Sequence, residues 1–171
     1  MILFYDSIKT KDGFCGLAWS SKGLAGLTLP LRKKSRIKPT LESQLTHFKD
    51  LRLIEDKVSL RLIHLLQDAL QGRYFKIPPL DLGQLTKFQK KVLNTTIQIP
   101  RGETRAYSFI ARHVHSPRSA RAVGNALNRN PIPLFIPCHR VIMKNSTLGG
   151  FGGNIKMKLK LLNRERIISK K

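Results

Sequence analysis

Three adjacent side chains could carry chemistry together: the thiol of Cys138, the imidazole of His139 and the guanidinium of Arg140. A cysteine attacks carbon as the thiolate, and a free thiol with a pKa of about 8.5 is mostly protonated at neutral pH. The imidazole could remove that proton, and the guanidinium adds a positive field. A lone cysteine in apolar surroundings is more often a small core residue. The polar neighbours of Cys138 favour a reactive thiol over that alternative.

The segment before this thiol is apolar and rich in proline, with Pro131, Pro133 and Pro137 inside the run 130–142. Proline cannot donate to a sheet ladder, and its ring fixes φ. The sequence therefore predicts a rigid, extended segment that is not a central strand. Such a segment would hold Cys138 at a fixed place.

Net charge is the outlying property of the composition. The 171 residues include 32 Lys and Arg but only 10 Asp and Glu, a net charge of +22. Residues 1–80 hold 14 basic and 7 acidic residues, and residues 81–171 hold 18 and 3. Such a surface is favourable beside a polyanion, so nucleic acid is the expected partner. A membrane is disfavoured, because no apolar run approaches the roughly 20 residues of a span.

Cysteine usage and the N-terminus predict the compartment. Two cysteines, Cys15 and Cys138, fit a reducing environment better than a disulfide scaffold, and Cys15 is expected to fill the core. The first residues lack a charged leader and a long apolar stretch, so we expect a cytoplasmic protein, or a nuclear one in a eukaryote. Neither cysteine has zinc spacing, and we expect no metal, although His47 and His64 leave that question open.

The N-terminal half is predicted to form antiparallel strands and then helices. Alternating apolar residues are interrupted by glycine-containing turns, and a helical period follows. The predicted strands span 2–7, 13–20 and 23–30, a charged loop spans 32–38, and helices span 41–50 and 57–71. The polar, proline-containing stretch 76–85 is the predicted boundary. The predicted domains are therefore residues 1–80 and 81–171.

The C-terminal half is predicted to be helical. Thr86 is a plausible N-cap for a helix that ends near Ile97, and a short helix follows at 106–114. Ser116 is expected to cap a further helix at 117–128, with Pro117 in its first position. Two short helices joined by a tight turn indicate a helix-turn-helix.

The helix at 117–128 separates its faces. An inward face and a basic face are predicted from the helical period. The inward residues are Ala120, Val123, Gly124 and Leu127, and the basic face holds Arg118, Arg121, Asn125 and Arg129. A solvated basic face is one explanation. Small residues that let the backbone approach a groove favour a DNA-recognition helix instead: Ala120, Ala122, Gly124 and Ala126.

The run 136–142, Ile-Pro-Cys-His-Arg-Val-Ile, resembles the active-site signature of the methylated-DNA–protein-cysteine methyltransferases, the O6-alkylguanine-DNA alkyltransferase family. The resemblance covers most of residues 85–168, in the family's order and spacing. It includes the stretches 102–107, 116–127 and 149–153. The N-terminal half carries no comparable signature.

This resemblance implies an α/β (α+β) fold, in which a small ribonuclease-H-like N-terminal α/β domain precedes a helical winged helix-turn-helix C-terminal domain. It implies DNA repair by direct damage reversal, with irreversible transfer of the alkyl group of O6-methylguanine in double-stranded DNA to Cys138. O4-methylthymine is a further candidate substrate. A thioether is a poor leaving group, and nothing suggests a second thiol to regenerate the first. We therefore expect a stoichiometric, self-inactivating monomer without a cofactor.

The resemblance also implies catalytic roles. Cys138 would be the nucleophile, His139 its base acting through water, and Glu165 the carboxylate that orients the imidazole. The alternatives are a satisfied core imidazole for His139 and an intrahelical ion pair for Glu165. Arg140 is expected to be structural, binding carbonyls or a carboxylate.

A base inside a duplex must be extruded to reach a buried thiol, and the resemblance implies residues for that step. Arg121 would enter the base stack, and Tyr107 would help to displace the nucleotide and hydrogen-bond the guanine. The other expected DNA contacts are Arg118, Asn125 and Ala120.

The remaining implied roles concern the guanine pocket. Asn130 would be a hinge between the recognition helix and the active-site segment. The carbonyls of Cys138 and Val141 would accept from the guanine amino group, and the Gly152 amide would donate to O6. The glycine-rich run 149–153 is not expected to be a phosphate cradle, because no Gly-Lys-Ser/Thr follows it.

Two other classes of function remain open at this point. One is a DNA-binding helix-turn-helix module or regulator without alkyl transfer, which would be indifferent to Cys138→Ser. The other is a hydrolase that uses Cys138, His139 and Glu165, and it would turn over repeatedly.

Overall fold

The computed structural model describes residues 1–83, 85–145, 147–151 and 154–166. Three strands come first, a fourth lies between the first two helices, and the rest of the described chain is mainly helical. In chain order they are β1 (Ile2–Thr10), β2 (Gly13–Ser20), β3 (Gly23–Leu27), α1 (Ile37–Gln44), β4 (Arg52–Glu55), α2 (Leu60–Leu70), α3 (Lys87–Ile97), β5 (Arg105–Ala106), α4 (Tyr107–His113), α5 (Ala120–Asn128), β6 (Val141–Ile142) and α6 (Ile155–Arg164).

The chain divides into two compact units. The first contains Met1–Gln67, Lys76–Leu85 and Pro131–Pro133, and the second contains the described residues of Asp68–Phe75, Thr86–Asn130 and Leu134–Lys171. The predicted domain boundary between residues 80 and 81 stays a prediction.

The first unit is built on one four-stranded sheet of order β3-β2-β1-β4. β1, β2 and β3 pair antiparallel, as predicted, whereas β4 runs parallel to β1. The turn before β2 needs glycine, since Gly13 has φ +128° and a Cβ there would lie 2.6 Å from the Leu31 carbonyl oxygen. This topology agrees with the implied ribonuclease-H-like arrangement.

One helix covers a face of this sheet. The core beneath it is formed by the buried side chains Leu3, Tyr5, Ala18, Ala25, Ile37, Leu41, Leu45, Phe48 and Leu53. The helix predicted at 41–50 is in fact α1, which begins at Ile37, so the predicted charged loop 32–38 is partly wrong. Burial of Ile37 and Leu41 against the sheet stabilises helix earlier than local propensity indicates.

The second unit contains the predicted helix-turn-helix. α3 begins as predicted at a Thr86 cap, where the Thr86 hydroxyl accepts from the Gln89 amide and the Gln89 side chain accepts from the Thr86 amide. α4 and α5 pack against each other, and both pack on α3. The parallel pair β5–β6 lies in the same unit. The predicted fold class, an α/β part followed by a helical part, is confirmed.

The predicted start of the recognition helix is wrong. α5 begins at Ala120 and not at Pro117. The amide and the hydroxyl of Ser119 both donate to the Ser116 carbonyl, which closes a turn before the helix. Ser116 therefore acts through its backbone in that turn and does not cap α5.

The inward face of α5 also differs in part from the prediction. Val123 and Leu127 are buried as expected, and Ala126 joins them. Ala120 and Gly124 are only half-buried.

None of the helices in the described ranges is long and apolar enough to cross a bilayer.

Candidate active site

The thiol of Cys138 lies at the start of a 3-10 turn, Cys138–Arg140, directly after Pro137. The preceding proline-rich segment 130–137 is buried and, as predicted, contains no strand. The prediction that it is extended is wrong in part, because the chain turns at residues 134 and 135, where Leu134 has φ +74°. The Asn130 side-chain amide donates to the Ile136 carbonyl at 2.9 Å and to the Cys138 sulfur at 3.1 Å. Asn130, at the end of α5, therefore connects the recognition helix to the thiol.

His139, Arg140 and Glu165 form a buried cluster beside this thiol. His139 Nε2 lies 3.0 Å from Glu165 Oε1. Arg140 donates from Nε to Glu165 Oε2 at 2.9 Å and from its terminal nitrogen to Oε1 at 2.8 Å, a two-point contact. Arg140 also donates to the Ile99 carbonyl at 2.7 Å. The proposed intrahelical pair for Glu165 is wrong, because its partners come from the turn at 138–140.

Protonation in this cluster follows from its contacts. Burial disfavours the Glu165 charge, yet the hydrogen bonds from His139 and Arg140 lower the pKa of Glu165 to about 2. Burial lowers the pKa of His139 below its ordinary value, while Glu165 opposes that shift. At neutral pH the cluster therefore holds a carboxylate and a neutral imidazole.

This arrangement leaves one nitrogen of His139 able to accept a proton. Because the Glu165 carboxylate only accepts, Nε2 carries the proton of the neutral ring. Nδ1 is then the nitrogen with a free lone pair, and it is buried without a hydrogen-bond partner among the described residues. Proton uptake at Nδ1 would give an imidazolium that Glu165 stabilises.

Two effects of opposite sign act on the thiol. Burial raises the pKa of Cys138, while the Asn130 hydrogen bond and the charge of Lys158 lower it, and the pKa remains above its ordinary value. The resting group is thus a thiol. A thiol ionised at rest by the neighbouring imidazole is therefore not what the structure indicates.

The small sheet positions the backbone near both Tyr107 and Val141. Ala106 of β5 pairs with Ile142 of β6, so Tyr107 begins α4 beside the strand that follows the thiol. Burial raises the pKa of Tyr107, and a nearby Cys138 charge acts in the same direction. A Cβ on Gly124 of α5 would lie 3.7 Å from the Tyr107 ring.

Lys158 is a site residue that the sequence-based prediction missed. It is fully buried on α6 and donates to the Val141 carbonyl at 2.6 Å. Burial lowers the pKa of Lys158 to about 8, and the Cys138 charge opposes this shift. A sequence signal was present, since Lys158 lies three and four residues before the apolar Leu161 and Leu162.

The predicted DNA-contacting residues lie on one helix and the turn before it. Arg121 and Asn125 of α5 are exposed, as is Arg118 in the turn, whereas Ala120 is half-buried. The acidic residues of the second unit are few, and Glu165 is enclosed in the cluster. The exposed face of α5 is therefore suited to a polyanion.

Two further expectations concern Gly152 and a metal site. Gly152 lies outside the described residues. Within the described ranges, no three His, Cys, Asp or Glu residues are grouped as a metal site would require.

A helix-turn-helix unit that carries a buried thiol, imidazole and carboxylate defines a DNA-binding protein with a nucleophilic site. A family profile described as "6-O-methylguanine DNA methyltransferase, DNA binding domain" matches residues 87–167. The constitutive methylated-DNA–protein-cysteine methyltransferase of Bacillus subtilis is 48% identical over 105 residues, which are 60% of this chain and 62% of that protein. The chain thus spans less than two thirds of that relative.

Other similarities extend over nearly the whole chain. The methylated-DNA–protein-cysteine methyltransferase of Methanosarcina barkeri is 36% identical over 168 residues, which are 95% of this chain and 97% of that protein. The crystal structure of Mycobacterium tuberculosis OGT in complex with DNA superposes with a TM-score of 0.75 at 34% identity, covering 95% of this chain and 92% of that one. The chain belongs to the methylated-DNA–protein-cysteine methyltransferase family.

Proposed function

We propose that this protein repairs DNA by transferring the alkyl group of O6-methylguanine in a duplex to the sulfur of Cys138, once per molecule. The observation that carries the proposal is the buried cluster in which Glu165 binds both His139 and Arg140, the two residues that follow Cys138 in the same turn. The DNA complex of the M. tuberculosis relative supports the choice of partner.

In the proposed reaction the Cys138 proton passes through a water to Nδ1 of His139, and Glu165 stabilises the imidazolium. The thiolate sulfur then forms a bond to the methyl carbon as the bond between that carbon and O6 breaks. The electron pair of the broken bond stays with guanine, which takes up one proton and returns to its keto form. The thioether is neutral and a poor leaving group, so the protein is consumed without a cofactor.

Asn130 has two parts in this proposal. Its N–H, 3.1 Å from the sulfur, stabilises developing negative charge on Cys138. Its second bond, to the Ile136 carbonyl, fixes the buried segment relative to the end of α5. Asn130 therefore acts both on the thiol and as the hinge.

The flipped guanine is proposed to lie against Tyr107, with its amino group donating to the carbonyls of Cys138 and Val141 and with O6 accepting from the Gly152 amide. Arg121, exposed on α5, would occupy the space left in the stack. The neighbouring contacts to the duplex would come from Arg118, Asn125 and Ala120.

Stoichiometry tests this function against its rivals. A fixed amount of protein is titrated with a duplex that contains one O6-methylguanine, and repaired guanine is counted. We expect a sharp endpoint at one repaired base per molecule, and none with Cys138→Ser. Continued turnover would favour a hydrolase, and DNA binding without repair would favour a regulator.

We further propose that the protein works inside the cell, in the cytoplasm or the nucleus. The DNA substrate resides there, and the two free thiols suit a reducing compartment.

A further inference from the structure

The side chain of Lys158 is the feature of the site that the proposed reaction does not use. Lysine is almost never fully buried unless its charge is paired. Lys158 has no exposed surface, yet its ammonium binds three backbone carbonyls, those of Val141, Leu148 and Gly150. None of its hydrogen bonds in the described part of the chain goes to a carboxylate. Among the described residues, the hydrogen-bond acceptors of this ammonium group are backbone carbonyls.

These three carbonyls belong to segments that border the thiol. Val141 follows the turn that carries Cys138. Leu148 and Gly150 flank Gly149, where a Cβ would lie 3.2 Å from the ring and the hydroxyl of Tyr107. One ammonium group therefore connects the strand after the thiol to the segment that packs against Tyr107.

We propose that Lys158 is a positioning residue for alkyl transfer: it fixes the Val141 carbonyl relative to the segment 148–150 and thereby holds the wall against which the flipped base is aligned. This inference rests on the proposed function. A carbonyl oxygen has two lone pairs, so Val141 can keep the Lys158 bond while it accepts from the guanine amino group. A base displaced by even about 1 Å would react about 100-fold more slowly.

The burial cost of the lysine supports a positional role. A buried charge is less stable than a well-packed apolar side chain of similar size. An apolar residue at 158 would nevertheless leave three carbonyls without this donor and would no longer connect the two segments. The titratable groups that the charge of Lys158 affects are Cys138 and His139, and it lowers the pKa of both, so it also favours the thiolate.

Two reactions of the same sulfur separate positioning from charge. Transfer from O6-methylguanine in a duplex needs an aligned base, whereas alkylation by iodoacetamide needs only an accessible thiolate. Both rates are measured at Cys138 by peptide mass, in the wild type and in Lys158→Met, Lys158→Gln and Lys160→Met. Lys160 is exposed on the same helix and provides the matched control. Melting temperature and affinity for undamaged duplex are measured for each variant.

We expect Lys158→Met to lower the saturating rate of transfer from guanine about 100-fold. The rate of alkylation by iodoacetamide should fall about tenfold less than the rate of transfer from guanine, because the iodoacetamide reaction loses only the electrostatic effect of the lysine charge. Lys158→Gln keeps two N–H donors and should recover part of the guanine reaction, whereas Lys160→Met should match the wild type. Affinity for undamaged duplex should change less than about twofold, because Lys158 is buried.

Equal losses in both reactions would overturn the proposal, as would a normal rate of transfer in Lys158→Met. If neither Lys158 variant folds, the residue is structural and the proposal is rejected. A wild-type protein that reacts with iodoacetamide but not with the damaged duplex refutes the proposed function itself, and this inference falls with it.

Discussion

Replacing Glu165 by glutamine should destabilise the protein strongly and slow alkyl transfer. Glutamine keeps the size of the side chain but presents an N–H where the carboxylate accepts from His139 and Arg140. The Arg140 guanidinium, which is 10% exposed, would lose its counter-charge in a buried place. Breaking a buried ion pair by removing one partner costs about 3–5 kcal/mol.

The depressed pKa of Glu165 gives a similar free-energy cost for losing the carboxylate. Its fall from 4.5 to about 2 corresponds to about 3 kcal/mol of stabilisation at neutral pH, at about 1.4 kcal/mol per pH unit. Because the folded-state pKa is depressed, this contribution is complete above pH 4.5 and is lost as the pH falls towards 2. For a chain of this length the loss corresponds to a melting temperature lower by about 6–20 °C.

Urea denaturation of Glu165→Gln beside Glu103→Gln measures this cost. Glu103 pairs with Arg105 at the surface, so the same substitution there should cost less than about 1 kcal/mol. The gap between the wild type and Glu165→Gln should also narrow as the pH is lowered below 4.5. Equal stabilities of the two variants at neutral pH would refute the role assigned to the buried carboxylate.

Three further predictions concern the reaction. Arg121→Ala should slow transfer from duplex DNA about tenfold or more, and transfer from a single-stranded substrate less, because extruding a paired base costs a few kcal/mol; equal effects on both substrates would contradict this. The single-turnover rate should fall as the pH drops through the pKa of His139, below 6.5. Glu165→Gln should move this fall to lower pH, because the carboxylate raises the pKa of His139. A fall at the same pH in both proteins would argue against the His139–Glu165 contact. Methylation of Cys138 should lower the stability by about 1–3 kcal/mol, because the added carbon overpacks a site where Asn130 lies 3.1 Å from the sulfur; calorimetry that finds an unchanged melting temperature would contradict it.

Local signals in the sequence predicted part of the fold. The Thr86 cap was predictable because its partner lies three residues away. β4 was missed because Arg52–Glu55 is short and its partner, β1, is distant along the chain. The start of α5 was misplaced because Ser116-Pro117 is a good helix start locally, whereas Ser119 closes a turn instead. The helical period of a sequence indicates neither the pairing of a strand with a distant partner nor a turn that replaces the first turn of a helix.

Within the site, residue types were easier to predict than protonation and burial. The resemblance implied the pairing of His139 with Glu165, and Arg140 was expected to bind carbonyls or a carboxylate. The structure brings all three together, although their catalytic roles stay predictions. Lys158 was missed because the lysines of α6 alternate with apolar residues, and a lysine in such a run is expected to lie at the surface. The resting thiol was also not expected, because the burial that raises its pKa depends on the whole fold.

The claim on which this account depends is that the sulfur of Cys138 accepts the alkyl group. Peptide mass analysis after mixing the protein with one equivalent of duplex containing O6-methylguanine tests it directly. We predict a gain of one CH2 on the Cys138 peptide, none on the fully buried Cys15, and recovery of unmodified guanine in the duplex. A methyl group on any other residue, or repaired DNA beside an unmodified protein, would contradict the account.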